Sequence, residues 1–196
     1  VAAGPYYTAG PIEVAYSGVA DTASGVASVR LWAKKDDGAW ADTGLVQSGP
    51  AAAFAFPPAQ GDGVYRFAIQ PVDGAGNAGP IPTGSGQASV TLDGVPPLAG
   101  ALSGPAAVTA GPVSFVYSGA ADALSGFHSV TLWVRPPSGL WAASAAVSVE
   151  PAGVLDFSGL AAQGLYEFAL VARDNAGNLS PLPNGVGMTA VLYDAQ

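Results

Sequence analysis

Apolar and polar residues alternate in short runs along the whole chain. Residues 12–18, IEVAYSG, put Ile12, Val14 and Tyr16 on one face and Glu13, Ala15 and Ser17 on the other. VSFVYSG (113–119) does the same with Val113, Phe115 and Tyr117. In SVRLWAK (28–34), Val29, Leu31 and Ala33 share one side; Arg30, Trp32 and Lys34 share the other. GVYRFAIQ (63–70) sends Tyr65, Phe67 and Ile69 inward and Val64, Arg66 and Ala68 outward, and QASVTLD (87–93) sends Ala88, Val90 and Leu92 inward. A period of two over short runs bounded by Gly, Pro and Asp predicts half-buried antiparallel strands. Those strands fall at 12–18, 26–34, 39–46, 52–57, 63–72 and 87–93. KDDGA (35–39) and PPSGL (136–140) read as hairpin turns. No capped helical stretch of useful length interrupts the pattern.

The pattern occurs twice. Adding 101 to a residue number returns the same residue type at about 36 of 95 positions when 1–95 is laid on 102–196, with no gap. Tyr16, Asp21, Trp32, Trp40, Tyr65, Phe67 and Asp93 become Tyr117, Asp122, Trp133, Trp141, Tyr166, Phe168 and Asp194. A fixed period of that size is domain-sized. The expected organisation is therefore domain 1 over residues 1–95 and domain 2 over 96–196. About seven short strands per unit predict an all-β fold of two tandem immunoglobulin-like β-sandwiches, end to end. Tyr65 and Tyr166 stand where a tyrosine corner would sit. Position 1 aligns with position 102, so domain 1 is expected to have a shortened first strand and to be a piece of a longer array.

Composition narrows the function classes. Charged residues make up 10% of the chain and the net charge is −8, with Lys and Arg totalling 6. A nucleic-acid partner needs a basic footprint, so none is expected. No apolar run reaches the roughly 18 residues of a membrane span without Pro, Gly or polar interruption. With no cysteine, neither a disulfide framework nor a thiolate metal site exists.

The recurring series D-x-x-S-G, LW, G-x-W, G-x-Y-x-F, D-x-A-G-N and D-x-x-P-P resembles the tandem immunoglobulin-like repeats of large bacterial surface and secreted proteins. It covers the whole chain, twice. DGVPP (93–97) stands where that family commonly has DTTPP. The resemblance implies a non-catalytic role outside the cell or on a bacterial cell surface, as stalk, spacer, adhesin segment or accessory domain. It names no ligand.

Two loops carry the candidate chemistry. DGAGNAGPIP (73–82) returns as DNAGNLSPLP (174–183). In the predicted fold Asp21, Ser24, Asp73 and Asn77 are neighbours, as are Asp122, Ser125, Asp174 and Asn178. Turn chemistry alone accounts for these residue types, because Asp and Asn bond backbone amides two residues on and glycine supplies positive φ. The sharper alternative is an interdomain calcium site formed by Asp93, Asp122, Asp174 and Asn178, since Ca²⁺ takes six to eight oxygens.

Trp32 and Trp133 lie opposite Leu31 and Leu132. They either stack on sugar rings or pack laterally, Trp32 between Arg30 and Arg66. His128, the single histidine, has Ala27 as its repeat partner and no nucleophile beside it in the pattern, so no enzyme is expected. Three roles remain: a structural spacer, a subunit or segment of a surface layer or filament, and an adhesive or glycan-binding module. The expected partners are neighbouring repeats or copies of the same protein.

Overall fold

The computed structural model describes residues 1–195, all of them in strands, turns and loops, with no helix. The chain divides into two compact units, Val1–Gly94 and Val95–Gln196.

In the first unit, β1 (Tyr6–Tyr7), β2 (Ile12–Tyr16), β3 (Val26–Lys35), β4 (Ala41–Gln47), β5 (Ala52–Phe56), β6 (Gly63–Asp73) and β7 (Ala88–Leu92) follow one another. They build a five-stranded sheet in the order β1-β7-β6-β3-β4 and a two-stranded sheet of β2 and β5. All pairs are antiparallel except β1, which runs parallel to β7. The second unit contains β8 (Ala101–Ser103), β9 (Ala107–Val108), β10 (Val113–Ser118), β11 (Phe127–Arg135), β12 (Ala142–Ser148), β13 (Gly153–Phe157), β14 (Gly164–Asp174) and β15 (Thr189–Tyr193). Its sheets are β13-β10-β8 and β12-β11-β14-β15-β9.

The pairing register repeats with the sequence. Val29 faces Pro71 and Val130 faces Ala172; Tyr65 faces Val90 and Tyr166 faces Val191; Tyr6 faces Thr91 and Ala107 faces Leu192. The 101-residue offset is therefore preserved through every shared ladder. The units differ at the first strand. Ser103 of β8 pairs with Val116, whereas at the matching place the first unit has only an isolated bridge, Ala2 to Ala15.

Alternation forms the cores. Ile12, Val14 and Tyr16 from β2 meet Val29, Leu31 and Ala33 from β3, Phe54 from β5, Tyr65 and Phe67 from β6, and Val90 and Leu92 from β7. The second unit has its own cluster around Phe115, Tyr117, Leu132, Tyr166, Phe168 and Val191. The tyrosines near the start of β6 and β14 close corners as expected. The Tyr65 hydroxyl donates to Gly61 O at 2.7 Å, and that of Tyr166 to Ala162 O at 3.0 Å.

The inward and outward assignment fails in the middle of β6. Ile69 is only half-buried, while Ala68 and Gln70, on the opposite face, are buried. Residues 74–87 explain this by folding back over that face. Gln70 Nε2 donates to Gly79 O at 2.7 Å, and Ile69 N donates to Gln87 Oε1 at 2.8 Å.

Candidate functional site

The loops after β2 and β6 converge at one end of the first unit. Asp21 Oδ1 accepts hydrogen bonds from the amides of Ala23 (3.1 Å), Ser24 (2.7 Å) and Gly25 (3.0 Å). One carboxylate oxygen thus organises the whole turn into β3. In the second loop, Asp73 Oδ1 accepts from the amides of Ala75 (2.9 Å) and Asn77 (2.8 Å), while Oδ2 accepts from Asn77 Nδ2 at 2.8 Å. Gly76 takes φ +89°, a left-handed conformation in which a side chain is strained. Gly74 N donates to Gly25 O at 3.0 Å and ties the loops together.

The second unit repeats the arrangement. Asp122 Oδ1 accepts from the amides of Leu124 and Gly126 at 3.0 and 2.8 Å. Asp174 Oδ1 accepts from the amides of Gly177 and Asn178, and its Oδ2 accepts from Asn178 Nδ2 at 2.7 Å. The loop tie is Asn175 N to Gly126 O, reinforced by Asn175 Nδ2 donating to Ser125 O at 2.9 Å. The sequence thus foresaw both four-residue neighbourhoods, and turn hydrogen bonds account for the residue types within each.

For the calcium expectation, Asp122, Asp174 and Asn178 belong to the second unit, and Asp93 is next to last in the first. One carboxylate oxygen each from Asp122 and Asp174 lie within 4.8 Å of one another. Both Asp174 oxygens accept N–H donors from their own loop.

Electrostatics in the first unit follow from the turns. The Ser24 amide, ahead of those of Ala23 and Gly25, holds the Asp21 carboxyl below its ordinary value. The Asn77 side chain and then its amide do the same for Asp73. A carboxyl with a depressed folded pKa contributes stability above its unfolded pKa and loses it as pH falls through the folded value. The melting temperature of the first unit is therefore expected to hold steady above about pH 5 and to fall below about pH 4, with Asp73→Asn flattening the fall. Circular dichroism melts across that range provide the check; stability that rises on acidification would contradict the assignment.

The tryptophans occupy the outer face of each large sheet. Trp32 is half-buried, and its Nε1 donates to Gln70 Oε1 at 3.1 Å. The expected arginine sandwich around it does not form. Arg30 pairs with Asp42 at 3.4 Å, and Arg66 donates to Asp36 O at 2.7 Å. Trp133 is likewise half-buried. The cation–π contacts lie one turn further on. Lys34 Nζ sits 5.3 Å from the Trp40 ring centroid, and the Arg135 guanidinium 5.3 Å from that of Trp141. The signal was in the repeat, which keeps a cation at 34 and 135 and a tryptophan at 40 and 141. His128 is exposed on β11.

No helix of the described residues is long and apolar enough to cross a membrane. No curated protein matches the sequence. Among solved structures, the chain is similar to the fibronectin(III)-like modules of Clostridium thermocellum CbhA at 18% identity and TM-score 0.48, covering 98% of this chain and 90% of that one. It is also similar to a tetra-tandem repeat in the extending region of a large adhesion protein, at 15% identity and TM-score 0.35, over 92% and 46% of the two chains. For the FN1–FN3 domains of chicken CNTN1 the values are 14% and 0.35, over 98% and 67%. The family comparison matches residues 4–93, nearly all of the first unit, to the bacterial Ig-like domain. The first unit is therefore a member of the bacterial Ig-like domain family, and the second repeats its strand register at an offset of 101 residues.

Proposed function

We propose that the chain is a pair of tandem Ig-like domains, the first over residues 1–95 and the second over 96–196, serving as a non-catalytic spacer in a large protein outside the cell. The observation that carries this reading is the use made of the polar residues. In both units, the acidic side chains that could have formed a reactive or ligand-binding group accept hydrogen bonds from their own loops: Asp21, Asp73, Asp122 and Asp174. What is repeated is the means of shaping a turn. Bacterial Ig-like domains are typical of extracellular or surface proteins, which supports the location.

Light scattering on the purified chain, together with a glycan array, tests the proposal. A spacer stays monomeric across concentration and binds no glycan. Concentration-dependent growth would favour a layer or filament subunit. Glycan binding lost in Trp32→Ala and Trp133→Ala would favour an adhesive module.

The carboxylates give a second test. If Asp122 serves the turn, Asp122→Ala lowers stability by about 1–2 kcal/mol, the usual effect of removing a side chain that caps backbone amides. The loss is the same in calcium and in chelator. A calcium-dependent rise in melting temperature that disappears in Asp122→Ala would instead assign an ion to Asp93, Asp122, Asp174 and Asn178.

A further inference from the structure

The chain has one methionine and no cysteine, so Met188 carries its only sulfur atom. Met188 stands directly before β15 and is 43% exposed. Phe168 and Thr189 form the last pair of the β14–β15 ladder. Two residues along β14, the Leu170 amide donates to Met188 Sδ at 3.2 Å. Leu170 itself is buried. A thioether is a weak acceptor, so this amide gains less from its partner than a buried N–H gains from an oxygen.

The first unit answers the same need with different chemistry. Gln87 stands at the place of Met188, and Ile69 at that of Leu170. The backbone matches: Gln87 N donates to Phe67 O and Met188 N to Phe168 O, both at 2.8 Å. The Ile69 amide, however, donates to Gln87 Oε1 at 2.8 Å. The same N–H thus meets an amide oxygen in one unit and a sulfur in the other. Methionine sulfoxide and glutamine share a skeleton. Each has Cβ, Cγ and then a centre bearing one oxygen, with a methyl group in the sulfoxide where glutamine has its amide nitrogen.

We propose that Met188 is an oxidation site, at which a hydroperoxide converts the thioether to the sulfoxide and the new oxygen accepts the Leu170 amide as Gln87 Oε1 accepts that of Ile69. The sulfur attacks the distal oxygen of the peroxide. The S–O bond forms as the O–O bond breaks, and the distal proton passes to the departing oxygen, which leaves as water or an alcohol. Sulfur loses two electrons and the peroxide gains them. The sulfur must retreat from the amide by about the length of the new bond. The concavity beside it, lined by Leu170, Leu182, Pro183, Val186 and Met188, leaves room for that. Oxidation of a packed methionine ordinarily disrupts its surroundings. Here it supplies the acceptor that the repeat already uses, so the second unit takes up an oxidising equivalent and keeps its fold.

The test treats the full chain with hydrogen peroxide and locates the product by peptide mass spectrometry. One oxygen atom is expected on Met188. By NMR the Leu170 amide proton moves downfield, and its hydrogen exchange slows by about fivefold or more as a strong acceptor replaces a weak one. The melting temperature of the second unit does not fall. Met188→Gln shows the same shift and the same slowing without peroxide, and Met188→Leu shows neither before or after treatment. Unchanged or faster exchange at Leu170 in the oxidised chain overturns the proposal. So does a Met188 that stays unoxidised where free methionine is fully converted. A melting temperature that falls on oxidation, but not in Met188→Leu, also overturns it, because the oxygen would then break contacts instead of making one.

Discussion

Phe168→Ala is expected to remove about 3–5 kcal/mol from the second unit, the range for emptying a buried aromatic site. Phe168 is 0% exposed. Its ring lies 4.4 Å from that of Phe115, 5.2 Å from Phe157 and 6.4 Å from Tyr166, centroid to centroid. Those rings come from both sheets, so truncation opens a void between the layers that neither sheet can close alone. For a domain of this size, the loss corresponds to a fall in melting temperature of more than about 12 °C. The first unit has its own cluster around Phe67 and is expected to keep its transition. Differential scanning calorimetry should resolve one shifted and one unshifted transition. A single transition that moves as a whole would show that the cores do not melt separately.

Gly86→Ala is the second large effect, and it acts through backbone and contact together. Gly86 has φ +79°, where an L side chain is disfavoured by roughly 1–2 kcal/mol. A Cβ there would also lie 2.6 Å from the Trp40 ring and 2.8 Å from the Phe67 carbonyl. The carbonyl belongs to a central strand and cannot retreat, so the ring or the loop must move. The expected loss exceeds about 2 kcal/mol, with a red shift in Trp40 emission as the ring leaves its place against the loop. Urea unfolding read at the tryptophan signal measures both. A substitution that leaves midpoint and emission unchanged would show that residues 84–87 do not cover the ring in solution.

Legibility in the sequence followed the distance between interacting residues. Asp21 reaches Ser24 and Gly25, and Asp73 reaches Asn77, all within one turn, so composition and spacing alone disclosed both loops. The inward faces of β2, β3 and β7 were equally readable, because Val14, Leu31 and Val90 alternate with residues that meet solvent. β6 was not. Ala68 and Gln70 are covered by a loop whose path depends on where Gly79 and Gln87 find hydrogen-bond partners, and a period of two carries no record of that.

The same limit explains the tryptophans. Arg30 and Arg66 flank Trp32 across the sheet, but Asp42 and the Asp36 carbonyl offer these guanidinium groups oxygen partners. Lys34, six residues before Trp40, meets that ring because the turn after β3 brings β4 back beside it.

One ladder has a mechanical consequence. β1 lies near the start of its unit and β7 near its end, and the two run parallel; β9 and β15 repeat the arrangement. Tension applied to a unit through its two ends pulls β1 backward along its axis and β7 forward along the same line. The strands are thereby loaded in shear. The bonds from Thr91 N to Pro5 O and from Asp93 N to Tyr7 O, 2.9 and 2.8 Å long, share the strain at the same moment. A hairpin pulled from its open end loses its bonds one after another. Here both must yield together, and a unit so tied resists stretching far better than its count of hydrogen bonds suggests.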